Sequence, residues 1–244
     1  MSTLPNKDLN VPQPIWERFM QRTMSACLVG VLSLGVIPAE ASAEIQIAMN
    51  SGYARGTFQG AKPVALFGVP YGLGLSAVVG RRELALLASV DYQHFEFRSL
   101  SLGSVFQGGS DLFGGGLGLS LMGEHSQLQL LARFFPSNKL TVASTIVVSI
   151  NGERITQQDS AVYSGGKAYQ GIIRWVVSRG AGDFNRKPGV LWGFELAYLS
   201  QSFTNRSVSV LIYQEGGTNE VTDTSSFNYS VGAGSAGIFI GQAL

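Results

Sequence analysis

Tyr71-Gly72-Leu73-Gly74-Leu75-Ser76-Ala77-Val78-Val79-Gly80 alternates apolar or aromatic residues at its odd positions with mostly Gly or Ser at its even ones. Successive side chains of a strand point to opposite faces, so this stretch has one bulky face and one nearly empty face. A soluble sandwich would turn the bulky face to a core and cover the other with solvated polar groups. Here the small face is too bare for that. A narrow barrel with lipid outside wants the reverse, bulky residues out and small or polar residues in.

Seven further stretches repeat the pattern, and each has a parity. The first sets Ile45, Ile47, Met49 and Tyr53 against Gln46, Asn50 and Gly52. The third sets Leu84, Leu86, Ala88, Val90 and Tyr92 against Ser89, Asp91 and Gln93. The fourth sends Phe113, Leu117, Leu119 and Leu121 outward over Gly114, Gly116, Gly118 and Ser120. In the fifth, Leu128, Leu130, Ala132 and Phe134 oppose Gln129 and Arg133, and in the sixth Tyr169, Ile173, Trp175 and Val177 oppose Gln170 and Arg174. The seventh sets Val190, Trp192, Phe194, Leu196 and Tyr198 against Gly193, Glu195 and Gln201. The last is expected to set Phe227, Tyr229, Val231 and Ala233 outward over Asn228, Ser230, Gly232 and Gly234.

Connections alternate in length. Gly80–Glu83 and Gly123–Ser126 are tight and Gly180–Gly189 is moderate, whereas residues 54–70, 98–110, 136–160 and 204–224 read as long loops. Short turns at one end and long loops at the other suit a transmembrane barrel whose short side is periplasmic. A Greek-key sandwich has no reason to sort its loops this way. Two of the loops carry hairpin signals. Asn151-Gly152 follows the β-branched run Leu140–Ile150, and Gly216-Gly217 follows Val208–Tyr213, so both are expected to be protruding ribbons. Pro136-Ser137-Asn138 is expected to mark a bulge where the first ribbon leaves the bilayer.

Ahead of the strands stands an export signal. Met24–Ile37 is apolar over the length of a signal-peptide core, Arg18 and Arg22 precede it, and Ala41-Ser42-Ala43 supplies an A-x-A cleavage site. The leader before the core is long, so Met20 and Met24 are alternative starts. The expected organisation is a signal peptide over 1–43 and one barrel domain over 44–244. Cys27, the only cysteine, falls in the leader, and the remaining chain has no disulfide framework. Residues 44–244 carry 14 Lys+Arg against 13 Asp+Glu with no basic stripe, which argues against nucleic acid. No later stretch is long and apolar enough for a membrane helix. Any membrane crossing is therefore by strands, and strands in lipid must close.

On these features the chain resembles the small eight-stranded outer-membrane barrels of Gram-negative bacteria, the OmpA/OmpX type. The resemblance covers residues 44–244 in architecture and implies an all-β, eight-stranded antiparallel up-and-down transmembrane barrel with long outer hairpins. It also implies an outer-membrane location and contact with outer-membrane lipid and lipopolysaccharide. Such barrels usually end on an aromatic residue. Here the nearest is Phe239, ahead of Ile240-Gly241-Gln242-Ala243-Leu244.

Four inward charges, Asp91, Arg133, Arg174 and Glu195, lie at a similar middle depth. Arg174 and Glu195 are equally distant from the turn at 184–185. Buried charges need partners, and the glycine rows of strands two, four and eight leave room for the arginines to cross. A polar plug and a gated path are the two readings, and the narrow bore favours the plug. No cofactor site, metal-ligand spacing, nucleophile elbow or phosphate loop is present. His94 has outward parity, but an outer-leaflet ester hydrolase would need a serine, and Glu96 stands two residues on, with Ser99 the first serine. His125 lies in a tight turn. The expected protein is a monomeric, non-enzymatic barrel that meets an extracellular surface or protein through its hairpins. A small pore, a lipid A hydrolase and a soluble lipocalin-like carrier with the bulky face inward are the alternatives.

Overall fold

The computed structural model describes residues 42–59, 63–80, 84–101, 104–123, 126–150, 153–179, 189–214 and 217–243. The alternating stretches become β1 (Ser42–Gln59), β2 (Val64–Gly80), β3 (Leu84–Ser101), β4 (Ser104–Met122), β5 (Ser126–Ile150), β6 (Glu153–Ser164), β7 (Ala168–Arg179), β8 (Gly189–Gln214) and β9 (Gly217–Ala243). All pairings are antiparallel. The ring β1–β2–β3–β4–β5–β7–β8–β9 closes where β9 pairs back onto β1, from Gln46↔Ala243 to Gln59↔Ser230. β6 continues the line of β7 toward the outer end, pairing with β5 and β8. The wall thus keeps eight staves along its height. Gly165, at a positive φ of 73° between β6 and β7, takes a backbone conformation open mainly to glycine.

Following paired residues around the ring fixes its geometry. The path from Gln46 through Ser76, Ser89, Gly116, Arg133, Gln170, Leu199 and Ala233 returns to β1 at Gly56, ten residues further along. Eight strands with that stagger tilt by about 40–45° and enclose a bore of roughly 8 Å radius, which side chains fill.

The exterior carries an apolar band. Met49, Phe113 and Leu196 are 65%, 64% and 59% exposed, and Ile45, Leu73, Val90, Leu130, Ile173, Phe194 and Ile240 are exposed beside them. A band of this extent would aggregate in water and is at home in lipid. The soluble carrier with its bulky face inward is thereby overturned.

Three expectations need correction. First, residues 54–59, 64–70, 98–101 and 104–110 are strand, not loop; the two expected hairpins are present, with β5–β6 and β8–β9 paired to their tips, Ile150↔Glu153 and Gln214↔Gly217. A tilted strand crosses a bilayer in about 9–11 residues. β8 has 26 residues and β9 27, so the wall runs well past the lipid band. Second, the last strand has the opposite parity. Val231, Ala233 and Phe239 are buried, Tyr229 packs inward, and Gly234, Ile238 and Ile240 are exposed. The Phe227 side chain is not among those described. Third, the inner row is not small and polar throughout. Phe58, Phe95, Phe97, Leu140, Tyr163, Phe203 and Val231 form an apolar cluster inside the outer half. The extensions at 54–59 and 64–70 bury Ala54, Phe58 and Leu66 in this way, whereas 98–101 and 104–110 bury Ser99 and Ser110.

The bulge near Pro136 is present. Phe113 pairs with Ser137 but Gly115 with Phe134, so one extra residue sits on β5. A second lies on β9, where Phe203 pairs with Tyr229 and Asn205 with Ser226.

Candidate functional site

Mid-lumen, the strands bring the inward charges together in two pairs. Arg174 and Glu195 are direct cross-strand partners on β7 and β8, and Arg174 donates to Glu195 Oε2 from Nε at 2.9 Å and Nη2 at 2.6 Å. The second pair spans a strand. Arg133 on β5 reaches over β4 to Asp91 on β3, with Nη2 2.6 Å from Oδ1, as an ion pair rather than an aligned hydrogen bond. Ser89 also donates to Asp91, and Arg133 Nη1 donates to Gln170 at 3.2 Å. Asn50 ties the halves together, donating to Glu195 at 3.0 Å and accepting from Gln93 at 3.2 Å. Arg174 lies over the Phe239 ring, 4.8 Å from its centroid. Both pairs are almost fully buried, so each charge depends on its partner.

Glycines make the reach possible. A Cβ on Gly116 would lie 2.8 Å from Arg133 Cγ, and one on Gly74 would collide with Asp91 Oδ1. The row on the last strand contributes nothing, because Gly234 faces outward.

The layers beside this network are apolar. Leu112, Phe135, Ala168 and Leu199 pack on its outer side, below the aromatic cluster. Toward the short turns lie Val78, Leu87, Leu131 and Ile172, and Val176, Leu191 and Phe239. A glutamine run shares that end, with Gln129 donating to Gln46 at 3.2 Å and to Gln127 at 3.0 Å. A gap lined by Asn50, Gly52, Pro70, Glu195 and Gly237 has room for about one water molecule. This is a closed, side-chain-filled β-barrel with a lipid-facing exterior.

The other residues singled out from the sequence are more scattered. Ala43 lies in β1 opposite Val79, and Gly217 opens β9 opposite Gln214. Ala41, Asn151, Gly152, Gly216 and the apolar leader lie outside the described residues. His94 faces outward on β3, as its parity implies. Its Nδ1 is 2.8 Å from Asp111 Oδ1, which also accepts from Tyr92 at 2.6 Å. Asp111 did not stand out in the sequence because 98–110 read as a loop, which left no register between residues 94 and 111.

No family model and no curated protein matches the chain. Among solved structures it is similar to the outer membrane protease OmpT of Escherichia coli, at 11% identity and a TM-score of 0.44, covering 84% of this chain and 96% of that one. It is also similar to the attachment invasion locus protein Ail of Yersinia pestis, solved with the heparin analogue sucrose octasulfate (13% identity, TM-score 0.31, 82% and 99% covered). Neisserial surface protein A is a third (12%, 0.33, 82% and 98%).

Proposed function

We propose that the protein is a non-enzymatic outer-membrane barrel with a side-chain-filled lumen, which meets extracellular surfaces or proteins through its outer ribbons. The observation that carries this reading is the contrast between the two ends of the design. The bore is occupied by side chains at successive levels, while β5–β6 and β8–β9 run on beyond the lipid band. Asp91, Arg133, Arg174 and Glu195 act as an internal tie between β3, β5, β7 and β8. The apolar leader with its Ala41-Ser42-Ala43 site delivers the chain to the envelope and is removed.

Deleting residues 140–158 tests the role of the ribbons. Heat-modifiable migration should persist and adhesion to cells or matrix should be lost, whereas unchanged adhesion would count against the proposal. In planar bilayers the refolded protein should give no steady conductance. A steady current through the wild-type chain would favour a small pore instead. For the hydrolase alternative, Asp111 supplies an orienting acid for His94, but among the described residues no Ser, Thr or Cys side chain bonds to that histidine. The lipid A profile should be the same with His94→Ala as without it.

A further inference from the structure

The outer faces of β2, β3, β4 and β5 carry a polar cluster at the upper margin of the apolar band. His94 is stacked on Tyr71, with ring centroids 4.7 Å apart, and is fixed at Nδ1 by Asp111. Tyr92 holds the same carboxylate oxygen, and Lys139 is the direct cross-strand partner of Asp111. The Asp111 side chain is nevertheless 65% exposed and that of His94 20%. Glu96 and Arg98, further along β3, approach each other at 3.8 Å. Directly below are Leu73, Val90 and Phe113, all lipid-facing.

The hydrogen bonds decide what this cluster can still accept. A carboxylate only accepts, so His94 Nδ1 donates to Asp111, and in the neutral imidazole Nε2 is then left as an acceptor. Gly109 lies beside it: a Cβ there would come 3.3 Å from Nε2, so the missing side chain keeps that nitrogen approachable. Asp111 Oδ1 is taken twice, leaving Oδ2 toward solvent. Two acceptors, Asp111 Oδ2 and His94 Nε2, therefore stand side by side at headgroup depth. They call for a ligand rich in O–H and N–H donors. A phosphocholine headgroup has none, and a bare phosphate would meet the Asp111 carboxylate.

We infer that His94, Asp111 and Tyr92 bind the sugar headgroup of an outer-leaflet glycolipid, whose hydroxyl or amide groups donate to Asp111 Oδ2 and His94 Nε2. Its acyl chains lie along Leu73, Val90 and Phe113, and Lys139 is placed to meet a phosphate on the sugar. The site rests on the reading of the chain as an outer-membrane protein and adds a specific lipid contact to it.

The test uses the full-length barrel in phosphatidylcholine nanodiscs doped with rough lipopolysaccharide or its dephosphorylated form, with retained lipid counted by native mass spectrometry. Fractionation of expressing cells runs in parallel. Wild type should retain both glycolipids over phosphatidylcholine. Asp111→Ala and His94→Ala should each lower retention about five- to tenfold, Asp111→Asn should fall between them and wild type, and Gln242→Ala, on the outside near the opposite end, should change nothing. Lys139→Ala should weaken the phosphorylated form alone. Heat-modifiable migration of every variant establishes that it is folded. Equal retention by wild type and both alanine variants would overturn the site, as would retention that vanishes on dephosphorylation and ignores Asp111. Absence of the protein from outer membranes would overturn the envelope reading itself, and the site with it.

Discussion

Gly116 has no side chain at the point where Arg133 passes over β4, and the ion pair with Asp91 depends on that gap. Gly116→Val is expected to push Arg133 off Asp91 and leave both charges buried without partners. Asp91→Asn is the cleaner probe, since it keeps the shape and removes the charge. It should destabilise the barrel by about 3–5 kcal/mol, read as a lower urea midpoint for the refolded protein. Replacing the pair together, Asp91→Leu with Arg133→Met, should recover most of that loss, because an apolar pair of similar volume needs no compensation. Part of this network is legible in the sequence. Arg174 and Glu195 flank one turn at equal distance, and the inner glycines of β2 and β4 advertise space. The reach of Arg133 toward the inward acids is suggested by that space, but parity relates only neighbours and does not single out Asp91 across a skipped strand. Phe239 beneath Arg174 is hidden for another reason: on the parity read from Tyr229 it would have faced lipid.

At the scale of elements, that last strand shows where alternation stops being informative. Tyr229, Val231 and Ala233 alternate with Ser230, Gly232 and Gly234, and such a row suits a lipid face or an apolar lumen equally. Phe58, Tyr163 and Phe203 decide between them, because their rings pack inside the outer half and recruit Tyr229. Single cysteines test the assignment in a Cys27→Ser background. Positions 234, 236, 238 and 240 should react with a lipid-soluble maleimide, and 231, 233, 235 and 239 should be protected. Reaction at the odd set would restore the parity read from sequence. The extra residue on β5 makes a second prediction. Deleting Pro136 would only straighten the strand, whereas inserting one residue after it would shift the register and turn Asn138, Leu140 and Val142, all buried, to the outside. Limited proteolysis should then cut residues 137–164 while β1–β4 stay resistant. This bulge is readable from the proline and the change of parity after it, whereas the one on β9 has no proline to announce it.

For the whole molecule, eight staves and a stagger of ten residues leave a bore that side chains can fill, and they do so in alternating polar and apolar layers. The closure seam has a consequence in time. β1 finds one of its two partners in β9, from Ser230 to Ala243, and Asn50 meets Glu195 145 residues further along the chain. Every hairpin from β1 to β8 can form as soon as its second strand is delivered, but the cylinder cannot shut until the last strand arrives. Until then β1 and β8 are open edges, and the lumen charges of an unfinished sheet are not yet enclosed. Contacts this distant in sequence are slow to form. A chain lacking residues 230–243 should therefore bind lipid vesicles yet never acquire the heat-modifiable, protease-resistant form. The same segment supplied separately should complete it, so the final strand sets the clock for assembly.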